Sequence, residues 1–189
     1  GRLHEAVDGQ KPIILALPDT LLALQGIAAG YRNQFDYPVV AITGSTGKTT
    51  TKDMTASIVS QLGPVLKSQE NFNNEIGLPL TLLQMEAWHK AVIVEMGMRG
   101  LGQIQTLTEL ARPSVGVITN IGTVHLELLG SQKAIQKAKQ ELVETMEPGG
   151  IVALNADDPL VKEMASMALD KQIIYYSWQG ANYDERRTS

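Results

Sequence analysis

Short apolar runs alternate along the chain with segments in which apolar residues recur every three or four positions. The runs are rich in Val and Ile, as buried strands are. They comprise Val39–Thr43, Val92–Glu95, Val115–Thr119, Ile151–Leu154 and Ile173–Tyr176, with Pro64–Lys67 as a weaker candidate. The helical periods cover Asp19–Phe35, Thr49–Gln61, Leu78–Met85, Gly102–Ala111, Gln132–Met146 and Pro159–Leu169. This alternation is typical of βαβ units, so we predict an α/β fold with a mostly parallel sheet flanked by helices.

The two ends of the chain depart from this pattern. Residues 1–18 contain one short apolar run, Ile13–Leu17, and residues 181–189 are polar and charged without a helix or strand period. We therefore expect one domain over residues 19–180, preceded by the tail of another unit at 1–18. Residues 181–189 are expected to form a polar tail or the end of a truncation.

Composition excludes several classes of function. The 189 residues carry 16 Lys and Arg against 20 Asp and Glu, a formal net charge of −4, which gives no support to a nucleic-acid or anionic-membrane partner. The absence of Cys excludes disulfides, thiolate zinc sites and cysteine nucleophiles. No apolar run approaches the roughly 18 residues that span a bilayer, and no signal peptide opens the chain. We expect a cytoplasmic globular protein.

The sharpest local signal is TGSTGKTT at positions 43–50, between a predicted strand and a predicted helix. Glycines let successive backbone N–H groups surround phosphate oxygens, and the helix N-terminus adds partial positive charge. Lys48 is expected to reach the terminal phosphates and Thr49 to offer its hydroxyl to Mg²⁺, although Ile42 replaces the first glycine of the common pattern. The predicted phosphate-binding residues are Gly44, Ser45, Thr46, Gly47, Lys48, Thr49 and Thr50.

Two further polar residues follow strand ends, where ligands gather in parallel sheets. Glu95 ends its predicted strand and is either a Mg²⁺ ligand or a solvated carboxylate. His125 lies beyond the strand Val115–Thr119, and a lone loop histidine is more often a surface residue.

A lysine also lies on the apolar stripe of a predicted helix. On a helical wheel Lys139 falls among Ile135, Ala138, Leu142, Val143 and Met146, whereas Lys133 and Lys137 point elsewhere. Such a lysine either extends its tip to solvent or stays in the interior, where desolvation favours a neutral amine. A neutral amine takes up CO₂ as a carbamate, which is a metal-binding anion.

Several segments, in order, resemble the Mur ligase family over residues 19–177. These are TGSTGKTTT, NFNNEIGLPLTLL, VIVEMGMRGLGQI, ARPSVGVITNIGTVHLELLGS and KAKQEL. The NFNNEIGLP and EMG segments favour the branch that adds D-Ala-D-Ala to UDP-MurNAc-tripeptide. The resemblance implies a P-loop NTPase-like central domain that binds ATP. Parts of the N-terminal, downstream and C-terminal regions of a longer ligase are missing from it, and the fragment is expected to be inactive alone.

The resemblance also implies the chemistry. ATP phosphorylates the peptide carboxylate, and the dipeptide amine attacks the acyl phosphate. Lys48, Lys139 and His125 are the implied catalytic residues. Thr49, Glu95, His125 and carbamylated Lys139 are the implied ligands of two Mg²⁺ ions, and Asn73 or Asn74 is the asparagine near the γ-phosphate. We expect the enzyme to be a monomer.

Three alternatives stay open at this point. One is another Mur ligase or a folylpolyglutamate synthase-like ligase. Another is a P-loop kinase or GTPase, although the nearest approach to a guanine-reading NKxD motif, Asn155–Pro159, lacks its lysine. The third is a nucleotide-binding module without ligase activity.

Overall fold

A single parallel sheet forms the centre of the protein. The computed structural model describes residues 16–123, 127 and 130–178. Within them the strands are β1 Val39–Thr43, β2 Val65–Lys67, β3 Ala91–Glu95, β4 Val115–Ile118, β5 Ile151–Asn155 and β6 Gln172–Tyr176. Their spatial order is β2-β3-β1-β4-β5-β6, and every neighbouring pair is parallel. The predicted α/β fold is confirmed.

Helices connect the strands close to their predicted positions. They are α1 Thr20–Arg32, α2 Lys48–Val59, α3 Gly77–Leu82, α4 Gln103–Ala111, α5 Gln132–Thr145 and α6 Pro159–Glu163. The prediction of one helix over Pro159–Leu169 was wrong, because the α-helix ends at Glu163 and a 3₁₀ turn follows over Met164–Met167. The Ser166 hydroxyl donates to the Glu163 carbonyl oxygen there, and such local bonds compete with the α-helical pattern.

Alternating side chains of the central strands enter two different hydrophobic layers. Val39 and Ala41 of β1 pack with α1, α3, α4 and α5 on one face of the sheet, whereas Val40 and Ile42 pack against Ala56 of α2 on the other. This period of two is what a strand buried on both faces requires. The helices are therefore layered on both sides of β1 and β3.

The chain reverses its direction of travel across the sheet at β1. The strands β2 and β3 lie on one side of β1, and β4, β5 and β6 lie on the other. Ligands of open α/β sheets bind outside the carboxyl ends of the strands at such a switch point. The loop after β1 therefore occupies the position where this fold binds ligands.

Some predictions fall outside the described residues. These are His125, most of the predicted tail at 1–18 and all of the polar end at 181–189. In the part of the chain that the structure covers, no helix has the length and apolar character needed to cross a membrane.

Candidate functional site

The glycines of the loop after β1 are required by its backbone. Gly44 has a φ of 152°, and a Cβ there would lie 1.7 Å from the Thr119 side-chain oxygen. Gly47 has a φ of 78° immediately before the first residue of α2. Residues that carry a side chain rarely adopt these φ angles, so the loop depends on glycine at both positions.

A second segment, Thr119–Gly122, holds this loop in place from the end of β4. The Asn120 carbonyl oxygen accepts the Ser45 N–H at 2.9 Å, and the Asn120 side-chain oxygen accepts the Thr46 N–H at 3.0 Å. The Gly122 N–H donates to the Ser45 hydroxyl at 2.9 Å. These contacts fix the loop before any ligand binds.

The same contacts determine which backbone groups of the loop face outward. The Ser45 and Thr46 N–H groups already donate to Asn120. Among the described residues, the N–H groups of residues 47–50 have none. Residues 47–50 therefore present the available donors at the N-terminus of α2, where an anion is stabilised. The ammonium group of Lys48 folds back onto the loop, donating to the carbonyl oxygens of Gly44 at 3.0 Å and Ser45 at 3.5 Å.

Glu95 lies beside the loop at the end of β3. Its side chain is buried, with 6% exposure, so the structure excludes a solvated strand-end carboxylate. One carboxylate oxygen accepts the Thr49 hydroxyl at 2.7 Å and the other accepts the Asn73 amide at 2.8 Å. Both donors are neutral, and no cation pairs with Glu95 among the described residues. A buried anion in this position is suited to binding a cation.

The two candidate asparagines have different structural roles. The side-chain NH₂ group of Asn73 donates to Glu95, and the main-chain carbonyl oxygen of Asn73 accepts the Gly97 N–H at 2.8 Å. The Asn74 side-chain oxygen instead accepts the N–H groups of Ile76 at 3.1 Å and Gly77 at 2.9 Å, at the start of α3. The side chain of Asn73 thus contacts the site carboxylate, whereas the side chain of Asn74 bonds to the backbone at the start of α3.

The donor set around Glu95 fits Mg²⁺. It offers a carboxylate and a hydroxyl, and Mg²⁺ prefers oxygen ligands and keeps several of its waters or takes substrate phosphate oxygens. No group of three or more His, Cys, Asp or Glu side chains able to hold a metal occurs within residues 16–123, 127 and 130–178. These residues therefore suit a Mg²⁺ ion that is coordinated partly by protein oxygens and partly by phosphate oxygens, rather than one coordinated by the protein alone.

Lys139 lies in the interior, which agrees with one of the two interpretations of its place on the apolar stripe, that it stays buried. Its exposure is 2%, and the apolar residues of the same stripe are buried around it. It has no hydrogen-bond or ion-pair partner in the described part of the chain. Burial, with a smaller contribution from the nearby Lys48, lowers the pKa of Lys139 to about 7. The neighbouring Lys137 is exposed, as predicted.

One cavity of about 530 Å³ brings these groups together. Lys48, Asn73 and Lys139 all line it. Other lining residues come from the loop Gly97–Gly102 and the first turns of α4. The structure thus joins the phosphate loop and the buried lysine in one space.

Sequence reasoning assigned no role to three polar residues that shape this region. Ser68 accepts the Glu95 N–H at 3.1 Å, Asn120 holds the loop, and Glu141 accepts the N–H of Gly102 at 2.6 Å. Asn120 had a usable signal, because it follows a strand adjacent to β1. Ser68 and Glu141 had none, since their partners are 27 and 39 residues away.

Comparison with known proteins agrees with this arrangement. The family described as the Mur ligase middle domain matches residues 42–188, which include the loop, Glu95 and Lys139. The chain belongs to the Mur ligase family.

Within the Mur ligases the chain is similar to one named branch. It is 48% identical over 164 residues to the UDP-N-acetylmuramoyl-tripeptide–D-alanyl-D-alanine ligase of Synechocystis sp., covering 87% of this chain and 36% of that relative. The crystal structure of MurF from Acinetobacter baumannii superimposes with a TM-score of 0.82 at 36% identity, covering 87% of this chain and 38% of that one. MurF ligase from Thermotoga maritima in complex with ADP gives 0.81 at 28% identity, covering 94% and 40%. The chain thus spans well under half the length of these relatives.

Proposed function

We propose that this chain is the ATP-binding domain of a ligase that adds D-Ala-D-Ala to UDP-MurNAc-tripeptide in peptidoglycan precursor synthesis. The observation that carries the proposal is the position of Glu95, a buried carboxylate without a cationic partner among the described residues, bonded to Thr49 of the phosphate loop. The names of the similar proteins supply the substrates. The proposed enzyme is a cytoplasmic monomer.

The loop's role in this reaction is to hold the phosphates of ATP. Residues 47–50 supply backbone N–H groups, and Lys48 exchanges its carbonyl partners for the terminal phosphates. Ser45 and Thr46 contribute through the shape of the loop, because their N–H groups are already bonded to Asn120. Gly44 allows the close approach of Thr119. Catalysis of this kind depends on positioning and on charge stabilisation.

The proposed reaction has two steps. A carboxylate oxygen of the tripeptide attacks the γ-phosphorus of ATP, the bond to the bridging oxygen breaks, and ADP leaves with its electron pair. The dipeptide amine then attacks the acyl carbon, loses a proton, and expels phosphate. Bound Mg²⁺ would neutralise phosphate charge, held by Glu95 and Thr49, with His125 as a further ligand. Asn73 keeps the Glu95 carboxylate oriented toward Thr49.

Lys139 is proposed to act as a carbamate at the second Mg²⁺. Its nitrogen forms a bond to the carbon of CO₂, one C=O electron pair moves to oxygen, and the nitrogen loses a proton to solvent. The burial of Lys139 and its lack of a partner among the described residues support this role, because no carboxylate holds the amine in its charged form. The cavity gives CO₂ access to it.

The test uses the full-length protein that carries this domain. It should form an amide from UDP-MurNAc-tripeptide and D-Ala-D-Ala, releasing one ADP for each bond. Replacing D-Ala-D-Ala with D-glutamate or L-glutamate should give no product. ADP release without amide formation, or a preference for one of those amines, would reject the proposed substrate.

A second candidate is a domain that binds ATP weakly and does not ligate when isolated. The observation that favours it is that the match covers only 36% of the relative from Synechocystis sp.. Titration of the 189-residue chain with ATP and Mg²⁺, beside a ligation assay, distinguishes the two. Repeated dipeptide ligation by this chain alone would contradict the second candidate.

A further inference from the structure

Glu141 connects the helix of Lys139 to the N-terminal end of α4, which also lines the cavity. It lies on α5 two residues after Lys139 and is buried, with 9% exposure. One of its carboxylate oxygens accepts the Gly102 N–H at 2.6 Å, and the other accepts the Gln105 N–H at 3.1 Å. Both donors belong to the N-terminal end of α4. A single side chain on α5 therefore holds the first turn of another helix.

This end of α4 needs an outside partner. The first four N–H groups of a helix have no intrahelical acceptor, and the residue before α4, Gly102, has no side chain to supply one. A carboxylate at this position is stabilised by the helix dipole as well as by hydrogen bonds. Glu141 satisfies two donors and places its negative charge where the positive end of the dipole lies.

The turn that Glu141 holds is also a wall of the cavity. Gly102, Gln103 and Thr106 line the cavity together with Lys48 and Lys139. The two bonds from Glu141 therefore set the separation between this wall and the lysine on its own helix.

We propose that Glu141 is a positioning residue, which fixes the part of the cavity wall formed by the first turn of α4 and so the place of the acceptor substrate. The part of this inference that concerns the acceptor rests on the proposed ligase function. The part that concerns the wall does not. Glu144 is the matched control, because it lies on the same helix, is exposed, and within the described residues its side chain accepts only from Gln140.

The first experiment does not depend on ligase activity. In the full-length protein, kept free of CO₂ and metal so that Lys139 is an unmodified amine, lysines are labelled with a small acylating reagent and the rates are mapped by peptide mass spectrometry. Glu141→Ala should raise the labelling rate of Lys139 by about tenfold, because two hydrogen bonds to a charged group are lost. Glu141→Gln should give a smaller rise, since its amide oxygen still accepts one N–H while its NH₂ group opposes the other.

Lys52 separates a local effect from general loosening. It is buried, with a side-chain exposure of 3%, on α2 at the other face of the sheet. Its labelling should stay unchanged in both Glu141 variants, and Glu144→Gln should alter neither lysine. If Lys139 and Lys52 became reactive together, or if neither changed, the positioning role would be rejected.

Kinetics of the same variants test the link to substrate. Glu141→Gln should raise the KM for the UDP-linked acceptor about tenfold while the KM for ATP stays within about twofold, because the hydrogen bonds of Glu141 in the described residues go to α4 and not to the loop after β1. Equal changes in both constants would overturn the assignment to the acceptor. If the parent protein shows no ligation, the proposed function fails, and the labelling experiment alone decides the role of Glu141 at the wall.

Discussion

Lys48 and Lys139 line the same cavity, but their surroundings are opposite. Lys48 is half-buried at the start of α2 and its ammonium group has two carbonyl partners in its own loop. Lys139 is almost fully buried and has no partner in the described part of the chain. The ammonium group of Lys48 is bonded within its loop, whereas burial disfavours the charged form of Lys139. The contrast shows that position, rather than residue type, determines the chemistry available to a lysine.

The largest effect that this contrast predicts is on Lys139. In the full-length protein, Lys139→Ala should lower the ligation rate about a thousandfold, because a proposed metal-binding anion is removed, while ATP binding changes little. Acetate or formate should restore part of the rate by supplying a carboxylate. The ligation rate and the ATP affinity are measured for Lys139→Ala and for Lys137→Ala, which is the exposed control. If Lys137 proved essential and Lys139 dispensable, the assignment would be wrong.

Lys48→Ala should have the converse effect. Loss of two charge-assisted contacts to phosphate costs about 3 kcal/mol, or about a hundredfold in ATP affinity. The melting temperature should change little, because the partners lost are carbonyl groups at the edge of the loop. Calorimetric titration with ATP and Mg²⁺ measures the first, and thermal unfolding measures the second. Unchanged ATP affinity would contradict the phosphate-loop assignment.

Asn120 tests whether the loop is fixed before ligand binds. Asn120→Ala removes the acceptor of the Thr46 N–H and the donor to the Thr46 hydroxyl. We expect ATP affinity to fall about tenfold, since one or two hydrogen bonds no longer hold the loop. Asn33→Ala is the control, because Asn33 is exposed and its side chain accepts from Arg112, which is not part of the loop. ATP titration of both variants is the measurement, and equal affinities would show that the bond does not position the loop.

The smallest effect separates the two adjacent asparagines. Asn74→Ala should lower the free energy of unfolding by about 1 kcal/mol, as loss of a helix cap does, with little effect on ligation per folded molecule. Asn73→Ala should instead lower ligation several-fold, by about 1 kcal/mol of transition-state stabilisation, because Glu95 loses a hydrogen bond. Denaturant unfolding and steady-state kinetics on both variants separate the roles. The reverse pattern would exchange the assignments.

Much of the fold could be predicted because its signals are local. The strand β1 is apolar on both faces, as a central parallel strand must be, and α1 begins next to Asp19, whose side chain accepts two hydrogen bonds from the first turn. The helical period around Lys139 predicted its place on the apolar face, since neighbours three and four residues away lie on the same face, but left open whether its tip reaches solvent. The error at Pro159–Leu169 arose because a hydroxyl-to-backbone bond is not visible in a hydrophobic period.

The site itself depended on contacts between distant residues. Thr49 and Glu95 are 46 residues apart, Asn120 and Thr46 are 74 apart, and Gly102 and Glu141 are 39 apart. No local period relates such positions, so the choice between Asn73 and Asn74 stayed open until the fold was known.

The sequence by itself determined the alternation of strands and helices, the glycine-rich loop, and the placing of Lys139 on an apolar stripe. Each of these follows from backbone preference or from a period along one element. Only the tertiary structure decided that Glu95 is buried between Thr49 and Asn73, and that Lys139 has no partner among the described residues. The physical reason is that burial and pairing are properties of the space between elements, which exists only after α4 and α5 pack together on the sheet.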